Sequence, residues 1–445
     1  MPRVYISAFD LYRIGPGPSA IYTAGPQRAA MSFAHALAAD GLLPAVARVH
    51  VELYGGLAFH GRAHASGPAI VAGLTGLPPE GCDVAALFRC EAAAARDGFV
   101  SLGGRHRIPL VPDRDIRYRV DRAFPGDSNA MRFTARDLAG EPLASRVYLS
   151  VGGGAIDAGD EAAPPLAKRV PYPFMSAITL QEACRVHGKR IHDLARANEC
   201  ALASPTEVTA RLARVAASMR GAVARGLAAE GVLPGGSART AALWHTAATA
   251  ATQTPAERCT ILATAVGEEN AAGGTVVTAP SAGAAGPVAA LLYHWQESGA
   301  HDAQARASDF LLAGAAIGAI LRQAGLVHVG CQGEIGVGAA MAAAGYAAVH
   351  NASNAQVLLA AERALEPHLG LACDLEGGRI EHPCIERGAL AAARAYDAAT
   401  SALRAPAPRV GLDLLARSLL ASGRGMSERP KAASIGGIAV NIVEC

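Results

Sequence analysis

Four cysteines have settings that could do chemistry. Three lie in segments punctuated by Gly or Pro: Gly330-Cys331-Gln332-Gly333-Glu334, Gly370-Leu371-Ala372-Cys373-Asp374 and His382-Pro383-Cys384-Ile385-Glu386-Arg387. The fourth, Cys445, closes the apolar tail Ile435-Gly436-Gly437-Ile438-Ala439-Val440-Asn441-Ile442-Val443-Glu444. Most chain ends are solvated and frayed, so an apolar one is expected to dock into protein and carry its thiol inward. Four thiols in turn-like surroundings point to a cluster or metal site, and a ligand on the chain end is one that can leave. Cys82, Cys90, Cys184, Cys200 and Cys259 have ordinary settings and read as small buried hydrophobes. The total of nine cysteines is odd and no secretion signal is apparent, which suits reduced thiols better than a disulfide framework.

A second candidate is the small-residue loop Ser281-Ala282-Gly283-Ala284-Ala285-Gly286, which leads into the helical pattern Val288-Ala289-Ala290-Leu291-Leu292. Backbone amides at such a helix start favour an anion such as a carboxylate. The same residues would equally serve a tight helix–helix contact, and both readings stand at this stage. Gly152-Gly153-Gly154 lacks the Lys and Ser/Thr of a phosphate-binding loop and reads as a turn at a domain edge. His60 and His64 stand four apart, as in a helical metal pair, but Gly61 between them and the lack of a nearby Glu speak against that. Pyridoxal phosphate needs a Schiff-base lysine. The chain offers Lys168, Lys189 and Lys431, none in a cofactor-loop setting, so that cofactor is not expected.

These residues need elements to position them. At 445 residues and about half apolar, the chain can bury more than one core. Its formal net charge of +2, without a basic run, gives no footprint for nucleic acid or an anionic membrane. No signal peptide or bilayer-length apolar run is seen, and a cytoplasmic enzyme is expected. Short β-branched or alternating runs (residues 45–53 and 145–151) between Gly/Pro turns mark residues 1–156 as an α/β N-terminal domain. Residues 157–170, with adjacent Pro and several acidic residues, read as a linker. Beyond it, Ala/Leu/Arg-rich segments near 176–200, 205–230, 236–266, 302–324, 334–348, 352–366 and 385–404 predict a mostly helical domain over 171–445. The expected class is α+β.

In collinear order, Leu53-Tyr54-Gly55-Gly56-Leu57, Ser150-Val151-Gly152-Gly153-Gly154, Val277-Thr278-Ala279-Pro280 with the loop after it, Val329-Gly330-Cys331-Gln332-Gly333-Glu334, Pro383-Cys384-Ile385-Glu386-Arg387 and the final Ala439-Val440-Asn441-Ile442-Val443-Glu444-Cys445 resemble the iron–sulfur L-serine dehydratase family in its single-chain form. The resemblance implies a [4Fe-4S] cluster held by Cys331, Cys373 and Cys384, with Cys445 as a displaceable fourth ligand on a tail inserted in the active site. It also implies His64, in Gly61-Arg62-Ala63-His64-Ala65, as the base that takes the α-proton, and a homodimer. Such chemistry expels hydroxide, a poor leaving group, and an iron with an open position is the Lewis acid that helps; electron-transfer clusters instead use fixed thiolates. Glu334, Asp374 and Glu386 flank the cysteines, where they could orient ligands or contact substrate.

Departures from the family pattern bear on substrate. Ser19-Ala20-Ile21-Tyr22-Thr23 stands where the family has Ser-Ser-His-Thr, replacing an imidazole by a phenol; Asp127-Ser128-Asn129 stands for His-Pro-Asn; Gly267 and Gly388 each stand for Asn. On that pattern Ser19, Tyr22, Thr23, Asn129 and residues 281–286 are the substrate-binding candidates, and the two Asn-to-Gly changes would open space. Altered polar matching discriminates strongly among small substrates. Three readings follow: β-elimination on L-serine or a serine-like amino acid to a 2-oxo acid and ammonia; a specialised paralogue acting on a bulkier β-substituted amino acid; or a non-catalytic Fe–S or zinc protein with a closed four-Cys site.

Overall fold

The computed structural model describes residues 5–122, 124, 129–158, 169–248, 253–299, 302–325, 329–372, 379–405 and 410–425. The chain divides into two compact units, one drawn from Ile14–Pro165 and Gly273–Thr275, the other from Met1–Arg13, Leu166–Ala272 and Val276–Cys445.

The first unit is built on a five-stranded sheet in the order Ile116–Tyr118, Arg48–Leu53, Ala130–Arg136, Pro142–Ser150, Ile156–Asp157. Its first pair is parallel and the others antiparallel. Strand Arg48–Leu53 buries Val49, Val51 and Leu53 and leaves Arg48, His50 and Glu52 more accessible, the two-residue period of a sheet with one face on the core. Phe33, Leu37, Ile70 and Leu74, from helices Ala24–Ala39 and Ser66–Leu74, pack in the same core, where the Phe33 and Phe133 rings stand 5.4 Å apart. The turn at Gly152, Gly153 and Gly154 has three successive positive φ angles, and the Gly154 carbonyl accepts from Arg28, so these glycines shape a turn.

The second unit is helical. The segment read as one helix over 176–200 forms two, Ala177–Val186 and Ile191–Cys200. Gly188, at φ +59°, breaks them apart. The segment near 236–266 likewise holds Ala241–Ala248 and Pro255–Ala271, the second opened by a Thr254/Glu257 capping box. At the centre runs Cys331–Val349, of whose 19 residues only Glu334 keeps appreciable accessible surface. A helix apolar all round belongs in a core, and its glycines permit close approach: a Cβ on Gly338 would lie 2.9 Å from the Ala284 carbonyl oxygen, and one on Gly345 2.7 Å from that of Phe310. Residues before Ile14 belong to this unit because Glu199, 2% exposed, accepts from the Tyr5 and Ser7 hydroxyls and the Ala8 amide at 3.0, 2.6 and 2.9 Å. Among the described residues no helix is long and apolar enough to cross a membrane.

Candidate active site

In the sheet-containing unit, His64 is 1% exposed, in the turn between helices Gly56–His60 and Ser66–Leu74. Its Nδ1 lies 2.9 Å from the His60 carbonyl oxygen. A carbonyl can only accept, so Nδ1 carries the proton and the lone pair of the neutral ring sits on Nε2. The helix stops at His60, so His60 and His64 do not form the i, i+4 pair of a helical metal site. The Tyr22 ring stands 5.0 Å from His64 and 5.9 Å from His60. Thr23 Oγ1 donates to the His64 carbonyl at 2.8 Å, and Ser66 Oγ donates to that of Tyr22. Asn129 joins this group at Gly56, where a Cβ would lie 2.6 Å from Asn129 Oδ1 and 3.0 Å from the Tyr22 hydroxyl. Ser19 is buried, and its carbonyl accepts from the Tyr22 and Thr23 amides at 3.1 and 2.7 Å. Residues far apart in sequence thus surround one buried imidazole.

In the helical unit, Cys331 and Cys384 are each the first residue of a helix, Cys331–Val349 and Cys384–Ala402. Gly330, at φ +75°, makes the turn into the first, a conformation L side chains rarely adopt. Helix starts carry partial positive charge and favour a thiolate. Arg387 Nη1 donates to Cys331 Sγ at 3.3 Å and to the Ala372 carbonyl at 2.9 Å. Arg387 is three residues on from Cys384 and projects from the same helix face. The Gln332 amide donates to the Leu371 carbonyl at 3.1 Å, and the Gly370 amide to Gln332 Oε1 at 2.9 Å, so the chain just before Cys373 is tied to the helix that Cys331 begins. Cys373, Asp374, Cys445, Asp127 and Ser128 lie outside the described residues. Among the described residues no three His, Cys, Asp or Glu side chains converge as a metal site. The donors present, a buried thiol beside a guanidinium and a second thiol at a neighbouring helix start, fit a thiolate-held, anionic group.

The 281–286 loop lies against the Cys331 helix. Ser281 Oγ donates to Glu334 Oε2 at 3.2 Å and accepts from the Ala284 amide at 3.3 Å, while the Ala285 amide bonds the Ala282 carbonyl at 3.1 Å. The amides of Ala282 and Gly283 have no acceptor among the described residues and are candidates to meet an anion. Gly286 serves packing: a Cβ there would lie 3.1 Å from the Ala263 carbonyl oxygen. A Cβ on Gly283 would lie 3.4 Å from Glu334 Oε2, which puts that carboxyl beside the two amides. Burial pushes the Glu334 carboxyl above the ordinary range, against the Ser281 hydrogen bond that lowers it. Glu386 is exposed, beside His382 Nδ1 at 3.1 Å.

The two glycines at the divergent positions differ. Gly388 is buried, and among the described residues a Cβ on it would meet nothing within 4 Å, so these residues leave space there. At Gly267 a Cβ would meet Ile385 Cγ1 and Cγ2 at 3.3 Å; the side chain of Ile385 takes up the room. Of the five cysteines read as buried hydrophobes, Cys82, Cys184 and Cys259 are buried, whereas Cys90 and Cys200 are partly accessible. Arg387 ends the segment Pro383-Cys384-Ile385-Glu386-Arg387, where nothing in the local pattern marks a role for it; its partners are 56 and 15 residues away.

The fold is that of an α+β protein, with a sheet-containing unit that buries a histidine and a helical unit that carries two cysteines at helix starts. Residues 7–161 match the family model for the serine dehydratase beta chain and residues 186–439 that for the serine dehydratase alpha chain. The chain is 38% identical to L-serine dehydratase 2 of Escherichia coli K12 over 99% of its own length and all of that protein's. It is 40% identical to the L-serine dehydratase of Mycobacterium bovis and 38% to that of Streptomyces coelicolor, each over 99% of this chain and 100% of the relative. The chain belongs to the iron–sulfur L-serine dehydratase family, in its single-chain form.

Proposed function

We propose that this protein is a [4Fe-4S]-dependent lyase that removes water from L-serine or a serine-like amino acid, giving aminoacrylate, which hydrolyses to a 2-oxo acid and ammonia. The observation that carries the reading is the match to enzymes named L-serine dehydratase over 99% of the chain. Cys331, Cys373 and Cys384 would hold the cluster and Cys445 would cover its fourth iron. When bound, such a cluster supplies a Lewis acid for a substrate oxygen. His64 Nε2 takes the α-proton, with Nδ1 held by the His60 carbonyl so that the ring keeps the correct tautomer. The amides of Ala282 and Gly283 receive the substrate carboxylate, beside the Glu334 side chain. Tyr22, Thr23 and Asn129 line the pocket around His64, with Ser19 shaping the backbone there. The same reading takes the protein as a cytoplasmic homodimer, with residues 1–156 as the beta-chain-like domain, 157–170 as linker and 171–445 as the alpha-chain-like domain.

The open space at Gly388 favours a second reading, turnover of a bulkier β-substituted amino acid. Anaerobic purification, counting of iron and sulfide, and assay with L-serine, L-threonine and larger β-substituted amino acids test both. Pyruvate and ammonia from L-serine are expected. Turnover confined to larger compounds would move the assignment to the second reading, and a four-iron protein inert toward all of them would refute both. Cys445→Ser should retain iron while making the cluster more sensitive to oxygen.

A further inference from the structure

The guanidinium of Arg387 contacts two of the segments that bear the proposed cluster thiols while itself standing on the third. Its Nη1 has two N–H bonds, and the structure gives each an acceptor: Cys331 Sγ at 3.3 Å and the Ala372 carbonyl oxygen at 2.9 Å. Ala372 immediately precedes Cys373, and Arg387 stands one turn along the helix that Cys384 opens. Two further hydrogen bonds brace the junction, from the Gln332 amide to the Leu371 carbonyl and from the Gly370 amide to Gln332 Oε1. We propose that Arg387 is a positioning residue: it fastens the Cys331 sulfur and the backbone at Ala372 to the Cys384 helix, so that three thiol-bearing segments are in register before iron arrives.

The chemistry suits arginine. Its planar fork is charged at all relevant pH and fixes the direction of each donor, whereas a lysine ammonium on a flexible stem does not. A cation beside a sulfur also stabilises the thiolate needed to bind iron, and N–H bonds to cluster sulfurs are among the interactions that set cluster stability. Outer partners of metal ligands typically contribute 10–100-fold in metal affinity. The inference rests on the cluster reading only for what the cradle holds; the fastening itself belongs to the polypeptide.

The test compares the full chain with Arg387→Met and Arg387→Lys, each studied iron-free and after anaerobic reconstitution. In iron-free protein, hydrogen exchange at the Gln332 and Gly370 amides should be about tenfold faster in Arg387→Met, with helix Pro205–Ala228 unchanged as a folding control. After reconstitution, Arg387→Met should surrender iron to a chelator roughly 10–100-fold more readily than wild type and, after one-electron reduction with dithionite, show an altered electron paramagnetic resonance spectrum. Arg387→Lys, which keeps the charge, should lie between the two and supplies the comparison if the Met variant folds poorly. Exchange at both amides unchanged from wild type would overturn the proposal, as would iron retention within about twofold of a four-iron wild type. A wild type that takes up no iron would instead sink the cluster reading, and the exchange comparison would still decide for or against the fastening.

Discussion

The Tyr22 ring stands 5.0 Å from the His64 ring, tilted by 43°, and the next residue, Thr23, donates its hydroxyl to the His64 carbonyl. Side chain and backbone of one short segment thus hold the imidazole from two sides, while His60 fixes its tautomer. An imidazole held in this way is already oriented for the role of base proposed for it.

His64→Ala should lower kcat for amino-acid elimination by about 10²–10⁴-fold, the usual contribution of a positioned base. Iron content should stay at the wild-type value, since the residue lies in the other unit from the cysteines. Pyruvate release with parallel iron analysis checks this. A variant within threefold or so of wild-type kcat would remove His64 from the mechanism.

Gly388→Ala should be tolerated or stabilising by about 0.5–1 kcal/mol, because the methyl meets none of the described residues within 4 Å and a glycine inside a helix is replaced. Gly267→Ala should be less well tolerated, as its methyl presses on Ile385. Urea midpoints of the two variants give the comparison. Gly388→Asn should also lower kcat/KM for larger β-substituted amino acids relative to L-serine, by roughly tenfold or more, if the space receives the substrate's β-substituent.

Glu334 carries a pH signature. Its folded-state affinity for a proton is raised by burial, so from about pH 4.3 upward to its raised value the folded state holds more protons than the unfolded chain. Stability contributed at low pH is therefore lost as pH rises through that window. Glu334→Gln, uncharged throughout and still able to accept from Ser281, should flatten the dependence of the urea midpoint on pH. Parallel pH profiles for wild type and variant would contradict the assignment.

Glu199→Ala should destabilise the helical unit by about 3 kcal/mol, since three hydrogen bonds to a buried carboxylate are lost and the Ala8 amide is left without an acceptor. The loss would appear as a lower urea midpoint. A change below about 0.5 kcal/mol would mean that the N-terminal segment is held by other contacts.

The family was legible in the sequence because its motifs are short and collinear, and the helical half because Ala/Leu/Arg-rich stretches alternate with glycine. Boundaries were less so: the segment over 176–200 conceals a break at Gly188 that composition, uniformly helix-favouring on both sides, does not mark. In the 281–286 loop the residues alone left anion binding and close packing equally open. In the structure Gly286 packs against Ala263, and the Ala282 and Gly283 amides have no acceptor among the described residues.

By itself the order of residues determined the thiol segments, the histidine candidate and the positions where this chain departs from its relatives, all of which are local patterns. Only tertiary structure decided that Gly388 faces open space while Gly267 faces Ile385, that Tyr22 and Asn129 meet near Gly56, and that Arg387 reaches a sulfur 56 residues away. The physical reason is common to these cases. Whether a side chain finds a partner or a void depends on what another element brings across the core, and nothing in the local spacing of residues encodes that.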